Sequence, residues 1–372
     1  MTEPISVEEF LKRSVTTPVA DVRTPAEYEK GHIPRAFLFS LFSDAERAEV
    51  GTLYVQQGRT AAVLKGLELT GPRLEAMARC GLEIARGGPG TVAQVQSPGA
   101  KEQKSAAKVE SSSPGNPGAS GALTAHGASG AASGGSLLFY CWRGGMRSAS
   151  VAWLMESVGI RCYTLEKGYK AYRNHVLGFF EHLPHPLKVL GGLTGSGKTE
   201  RLRQMAGAGE QVIDLEGLAG HKGSAFGNLG LPPQPSTEHF QNLLFDAFSH
   251  LDPERPVWVE DESKNVGKCS LPDGLWKKMQ QADFYFLPAS DQERIDRLMK
   301  EYAGFNAGLL EQAILKIEKR LGFDQCRKAV EACRKGDTGA ALVICLTYYD
   351  KAYKDQLETR KKNNGIYTFN TI

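Results

Sequence analysis

Two short stretches carry residue types whose order could do chemistry. The first, Gly192-Leu193-Thr194-Gly195-Ser196-Gly197-Lys198-Thr199, fits the pattern G-x-x-x-x-G-K-[ST] without departure. Glycines at Gly192, Gly195 and Gly197 let successive backbone N–H groups turn inward, and Ser196 adds a hydroxyl. A helix opening at Lys198 places partial positive charge at the same point, Lys198 adds a full charge, and Thr199 offers a hydroxyl to Mg²⁺ or a phosphate oxygen. That chemistry is phosphate binding, and the loop does not specify which phosphate compound. The second stretch is Tyr140-Cys141-Trp142-Arg143-Gly144-Gly145-Met146-Arg147-Ser148. A cysteine between a strand and a helix, flanked by two glycines and two arginines, suits a thiolate nucleophile, with Arg143, Arg147 and the helix N-terminus favouring the charged form. Carboxylates at predicted strand ends (Asp214, Glu216, Glu260 and Asp261) are candidates for an acid that holds Mg²⁺ beside the phosphate loop.

The elements that must position these loops can be read from apolar patterning. Val19–Arg23, Leu137–Cys141 and Arg161–Leu165 read as short strands, Ser148–Val158 as a helix with Val151, Leu154, Met155 and Val158 on one face, and Gly168–Leu183 as another helix. Pro184 and Pro186 mark a boundary. Beyond it, Leu187–Leu190, Gln211–Leu215, Pro256–Glu260 and Phe284–Leu287 read as strands with helical stretches between them. Such alternation predicts an α/β class with parallel sheets flanked by helices. From Asp291 the pattern is helical to the end. The expected division is residues 1–183, 184–290 and 291–372.

From Gly87 to Ser136 the chain is mostly Gly, Ser, Ala, Pro and polar residues. It cannot bury enough apolar area to offset the entropy of ordering, and is expected to be a disordered insertion within the first domain.

Composition excludes several classes. The net charge of +3 gives no global cationic field. Between Cys141 and Lys222, however, eleven Lys and Arg stand against seven Asp and Glu, which suits anionic ligands. Seven cysteines, an odd number without a C-x-x-C pair, argue against a disulfide scaffold or zinc knuckle and for a reducing, cytoplasmic setting. The six besides Cys141 read as core or bystander residues. The acidic N-terminal stretch lacks the apolar segment of a signal peptide, and no apolar run approaches the ~18 residues of a membrane span.

The segment Asp21-Val22-Arg23 with Gly31-His32-Ile33-Pro34, followed late by the cysteine loop, resembles the rhodanese family, whose cysteine carries sulfur as a persulfide. The C-x5-R loop, Cys141 to Arg147, is one residue longer than the usual sulfurtransferase loop and matches the length in dual-specificity phosphatases, but Tyr140 stands where those have histidine. Further strings narrow the resemblance: Gly51-Thr52-Leu53-Tyr54, Gln57-Gly58, Gly168 to Arg173, Asp214 to Ala219, His221 to Gly227, Val259 to Ser263 and Tyr348 to Tyr353. With a rhodanese-like module fused ahead of a P-loop module, the chain resembles tRNA 2-selenouridine synthases over nearly its whole length outside the insertion. The resemblance implies a rhodanese-like domain, a P-loop NTPase-like domain and a helical C-terminal region. It implies replacement of sulfur by selenium at C2 of wobble 2-thiouridine in tRNA, with selenophosphate as donor, through an S-geranyl intermediate made from geranyl diphosphate. Cys141 would handle the chalcogen and Lys198 and Thr199 the diphosphate. No tightly bound cofactor is implied, and a selenophosphate-supplying enzyme is a conceivable partner. For the tRNA, the basic and aromatic candidates are Tyr169, Lys170, Tyr172, Arg173, His221 and Lys222, with Lys351 to Lys362 a basic run that could equally be a solvated helix face. Three rival readings remain open on the residues alone: an ATP-dependent P-loop enzyme with a sulfur-donating module in tRNA thiolation, a phosphatase built on C-x5-R, and a non-catalytic rhodanese-like interaction module.

Overall fold

The structure, a computed structural model, describes residues 2–87, 135–364 and 369–371. It divides into two compact units, Met1–Tyr172 and Arg173–Ile372. The first contains β1 (Glu3–Ile5), α1 (Val7–Ser14), β2 (Val19–Asp21), α2 (Pro25–Lys30), β3 (Phe37–Leu38), α3 (Asp44–Gln57), α4 (Arg59–Thr70), α5 (Leu74–Gly87), β4 (Ser136–Tyr140), α6 (Met146–Ser157) and β5 (Arg161–Leu165). Its five strands form one sheet in the order β1-β5-β4-β2-β3, every pair parallel. β4 is the central strand, and Leu137 to Tyr140 are all buried, as a strand covered on both faces must be. The core joins Ala20, Val22, Phe139, Val151 and Met155 to Met77, Cys80 and Ile84 of α5.

Local sequence fixes several of these boundaries. Thr24 accepts from the Glu27 N–H, and the Glu27 carboxylate accepts from the Thr24 N–H, a reciprocal cap that starts α2 with Pro25 in its first turn. Ser43 and Glu46 do the same for α3. The Gly- and Ser-rich stretch falls between α5 and β4 and lies outside the described residues except at its ends, where Gly87 closes α5 and Ser136 opens β4.

The units divide within α7 (Gly168–Glu181), ahead of the prolines at which the sequence suggests a boundary. The reason is packing: Phe179 and Phe180 meet Phe245 and Phe248 of α10 edge-to-face at 5.2 and 5.9 Å. The second unit continues with β6 (Leu187–Gly191), α8 (Lys198–Gly207), β7 (Gln211–Ile213), α9 (Leu215–Ala219), α10 (Thr237–Ser249), β8 (Val257–Glu260), a small antiparallel pair β9 (Asn265–Val266) and β10 (Cys269–Ser270), α11 (Asp273–Gln281) and β11 (Asp283–Phe286). Then come α12 (Asp291–Tyr302), α13 (Ala307–Leu315), α14 (Glu318–Leu321), α15 (Phe323–Arg334), α16 (Thr338–Asn364) and β12 (Phe369–Thr371). Its sheet, β12-β11-β6-β8-β7, is again wholly parallel, with β6 central. The reading of residues 291–372 as helical to the end is therefore corrected at its last step, because β12 pairs with β11 and closes the sheet edge. A three-residue strand leaves too little period-2 pattern to be seen in sequence. No helix among the described residues is long and apolar enough to cross a membrane.

Candidate functional site

Each sheet sends one loop from the C-terminal end of its central strand, the position where open parallel sheets bind ligands. In the first unit that loop runs from Cys141, directly after β4, to Gly145, the residue before α6. Cys141 is 3% exposed. Its Sγ accepts from the Gly145 N–H at 3.3 Å, and the Ser148 hydroxyl lies 3.3 Å away, with the Gly145 carbonyl as its alternative acceptor at 3.1 Å. The sulfur thus faces the N-terminal end of a twelve-residue helix that has no side-chain cap.

The turn between β5 and α7 holds this loop shut from behind. Tyr169 N–H donates to the Cys141 carbonyl at 2.8 Å and Lys170 N–H to the Trp142 carbonyl at 3.0 Å. The approach is so close that a Cβ on Gly168 (φ +59°) would lie 2.3 Å from both the Cys141 carbonyl oxygen and the Gly144 nitrogen. Glycine is required there by contact and by dihedral together.

The Asp21-Val22-Arg23 landmark lies beneath. Asp21 and Arg23 form a fully buried ion pair at 2.6 Å, Arg23 donates to the Gly31 carbonyl at 2.6 Å, and its guanidinium stacks 3.8 Å from the Tyr169 ring centroid. Tyr140 hydroxyl accepts from the Ile33 N–H. His32 stacks on Tyr28 at 3.7 Å, with its pKa lowered, chiefly by burial.

Two expectations for this site are corrected. Arg147 does not serve the sulfur: its guanidinium is engaged bidentately with Glu27 at 2.6 and 3.2 Å. Burial opposes the Glu27 charge, but Arg147 outweighs it and holds the carboxylate below its usual range. Tyr169 and Tyr172, expected to meet a nucleobase, are 0% and 1% exposed and belong to the aromatic layer under the loop. Arg143 and Lys170 are exposed.

In the second unit the glycine-rich loop leaves β6 and feeds α8. Gly195 and Gly197 take φ of +81° and +93°, the left-handed region that lets N–H groups converge. Lys198 Nζ folds back to the Gly192 carbonyl at 2.9 Å. Ser196 is 3% exposed, and its hydroxyl has no partner among the described residues, as expected of a donor kept for a ligand. Thr199 Oγ1 lies 3.3 Å from Glu216 Oε2.

Acids crowd this cradle. Glu260 ends β8, fully buried. Its Oε2 accepts from the Leu215 N–H at 2.9 Å, while Oε1 has no partner among the described residues. Burial, with the neighbouring Asp214 and Glu216 carboxylates, pushes its pKa up to about 8. Glu262 is pushed well above the usual range by burial and by Glu216, and Glu216 is raised by burial against the pull of Lys198. Asp214 caps α9 by accepting from the Gly217 N–H at 2.6 Å. Asp261 accepts from the Tyr353 hydroxyl at 2.9 Å.

Sequence reasoning missed the residues that grip this loop from the far end of the chain. Tyr353 hydroxyl, on α16, accepts from the Gly192 N–H at 2.9 Å while bonding Asp261. Arg294 donates to the Thr194 carbonyl at 2.9 Å and is held by Asp350 at 2.5 and 3.0 Å. Arg297 reaches the Gly195 carbonyl at 3.3 Å. The signal lay in the Tyr348-to-Tyr353 string, whose Asp350 and Tyr353 both serve the loop. Of the basic residues expected to meet tRNA here, Arg173 is bound to Glu238 O, Gln241 Oε1 and Asn242 Oδ1, and Lys222 is paired with Glu301. Each therefore already has a protein partner. His221 is half-buried, and burial lowers its pKa.

The family model described as the tRNA 2-selenouridine synthase AAA domain matches residues 185–369. Three proteins named tRNA 2-selenouridine synthase are similar along most of their length. Those of Shewanella sediminis (strain HAW-EB3) and Shewanella frigidimarina (strain NCIMB 400) are 31% and 32% identical, each covering 92% of this chain and 89% of its own. That of Shewanella denitrificans (strain OS217 / ATCC BAA-1090 / DSM 15013) is 32% identical over 93% of this chain and 89% of its own.

Proposed function

The chain belongs to the tRNA 2-selenouridine synthase family, and on that footing we propose that it replaces the C2 sulfur of a wobble 2-thiouridine in tRNA with selenium. The observation that carries the reading is the pair of anion-receptive turns at the ends of central strands, one holding the Cys141 sulfur and the other lined by Lys198, Ser196 and Thr199. A diphosphate suits the second turn. In the first step the thiocarbonyl sulfur of the base attacks C1 of geranyl diphosphate, an S–C bond forms, the C–O bond breaks, and diphosphate leaves. Alkylated sulfur is the better leaving group. The selenium of selenophosphate then adds at C2, geranylthiol departs as the C–S bond breaks, and water cleaves the P–Se bond, releasing phosphate and leaving selenium on C2. Cys141, with N–H and O–H donors aimed at it, is the residue assigned to the selenium-bearing species. Mg²⁺ fits the second turn: the Thr199 hydroxyl and the Glu216 carboxylate would hold it, and Glu260 Oε1 is a buried acceptor lacking a partner. Bound there, it would neutralise diphosphate charge.

The test is mass analysis of wobble nucleosides after incubating thiolated tRNA with geranyl diphosphate and selenophosphate, omitting each donor in turn. Cys141→Ser is expected to abolish selenation but spare S-geranylation, and Lys198→Ala to abolish S-geranylation. Unchanged products in both variants would overturn the assignments. A second reading, an ATP-dependent enzyme of tRNA thiolation, is favoured by the Thr199–Glu216 pair, which suits a metal-bound nucleotide as well as a diphosphate. Release of ADP coupled to product formation would select it.

A further inference from the structure

With Tyr169 and Tyr172 buried and Arg173 and Lys222 internally bound, the nucleic acid needs another surface. The rim of the cysteine loop supplies one. Trp142 follows Cys141 directly and is only half-buried. Its ring leans on Tyr169 at 5.9 Å, and Tyr169 stacks in turn on Tyr140, Tyr172 and the Arg23 guanidinium. The indole therefore rests on a fixed aromatic layer and loses little freedom when a base stacks on it.

Two exposed cations flank it. Arg143 is the next residue along the loop, and Lys170 is tied to the loop by its own N–H on the Trp142 carbonyl. Neither has an ion pair among the described residues. The nearby acids are already engaged, Glu27 by Arg147 at 2.6 Å and Glu166 by Lys167 at 3.8 Å. Met146, 45% exposed, adds apolar surface at the start of α6. An aromatic platform between unpaired cations is the pattern that single-stranded nucleic acid selects, with the base on the ring and phosphates on the charges.

We infer that Trp142, Arg143 and Lys170 form the surface that receives the unstacked wobble nucleotide and sets its base beside Cys141. The inference rests on the tRNA reading above and assigns it residues. Trp142 is a positioning residue: it stacks the base, and Arg143 and Lys170 hold flanking phosphates.

The test is binding of the full chain to a fluorescent anticodon stem-loop bearing 2-thiouridine, over a range of salt. Trp142→Ala should weaken binding roughly five- to hundredfold, the range for loss of one stacked base, while Trp142→Phe keeps most of it. The double variant Arg143→Ala/Lys170→Ala should lower the slope of log Kd against log salt by about one to two, as expected for losing two phosphate contacts. The exposed cations can be removed without touching the core, so this arm stands even if Trp142→Ala fails to fold. If wild type binds and both the Trp142→Phe/Ala pair and the double variant match it in affinity and slope, the rim is not the contact and the tRNA reading survives. If wild type binds no thiolated stem-loop, the tRNA reading itself falls. Retained RNA binding with loss of an acidic protein partner would show the rim to be a protein-docking surface and overturn the inference.

Discussion

Glu260 offers a quantitative test of the second cradle. Its carboxyl is fully buried, its pKa is pushed up from an ordinary 4.5 to about 8, and its causes are burial first and then Asp214 and Glu216. Between those values the native protein holds a proton that the unfolded chain has released, so folding takes up a proton and stability falls as pH rises. The stabilisation is fully present below about pH 4.5, is lost progressively up to about pH 8, and changes no further above that. At about 1.36 kcal/mol per pH unit the whole window is worth roughly 5 kcal/mol. Glu260→Gln keeps an acceptor for the Leu215 N–H and cannot ionise. It also places an NH₂ where Oε1 lacks a partner, a cost of about 1–3 kcal/mol that is the same at every pH. The discriminating quantity is therefore slope, not absolute stability. Urea denaturation of the full chain at half-unit steps from pH 5 to 8 should give a variant slope shallower than wild type by about 1.36 kcal/mol per pH unit at mid-window. Some slope should survive in the variant, because Glu216 and Glu262 are raised by the same burial. Parallel curves for the two proteins would refute the claim that Glu260 is protonated in the native state.

Two further predictions test the loops from behind. Tyr353→Phe removes the one hydroxyl that bonds both the Gly192 N–H and Asp261, taking the acceptor of the Gly192 N–H and one of the donors to Asp261 at about 1–3 kcal/mol, so calorimetry should find inorganic pyrophosphate bound about tenfold more weakly; an unchanged Kd would mean that the α16 tyrosine does not shape the cradle. Gly168→Ala and Gly159→Ala both put alanine at positive φ, but the first drives a Cβ to 2.3 Å from backbone atoms of the cysteine loop and the second meets nothing within 4 Å. Denaturation should show a cost of about 1 kcal/mol for Gly159→Ala and a several-fold larger one, or failure to fold, for Gly168→Ala; equal costs would remove the argument that the β5–α7 turn clamps the loop.

The legible parts of this chain were those whose physics is local. Buried parallel strands are continuous apolar runs, so β4, β5, β6 and β8 could be placed within a residue or two. The phosphate loop was legible because its glycines, lysine and threonine act through their own backbone and neighbours. What sequence could not assign was the partner of each charge. Arg147 sits in the cysteine loop, yet its partner Glu27 is 120 residues upstream, and the acceptor for the Gly192 N–H is 161 residues downstream at Tyr353. The same limit misplaced the tyrosines. Tyr169 follows a glycine and precedes a lysine, a context that looks exposed, but α7 begins there by tying its N–H to Cys141, which turns the ring under the loop. The strings that carried the family resemblance prove to be contact sets: Glu216, Gly223, Glu262, Asp350 and Tyr353 all lie against the phosphate loop or its acids.

The two turns proposed to receive anions would do so by opposite electrostatic routes. Around Cys141 the buried or half-buried cations are already neutralised, Arg23 by Asp21 and Arg147 by Glu27, so the pull on negative charge at the sulfur comes from Gly145 N–H, Ser148 and the end of α6. Fixed dipoles of this kind are buried and weakly screened. Around the phosphate loop, Lys198 stands among three carboxyls that, if all ionised, would leave the site negative and repel a diphosphate. Burial works against this by raising the pKa of all three, a consequence of the cost of an uncompensated buried carboxylate.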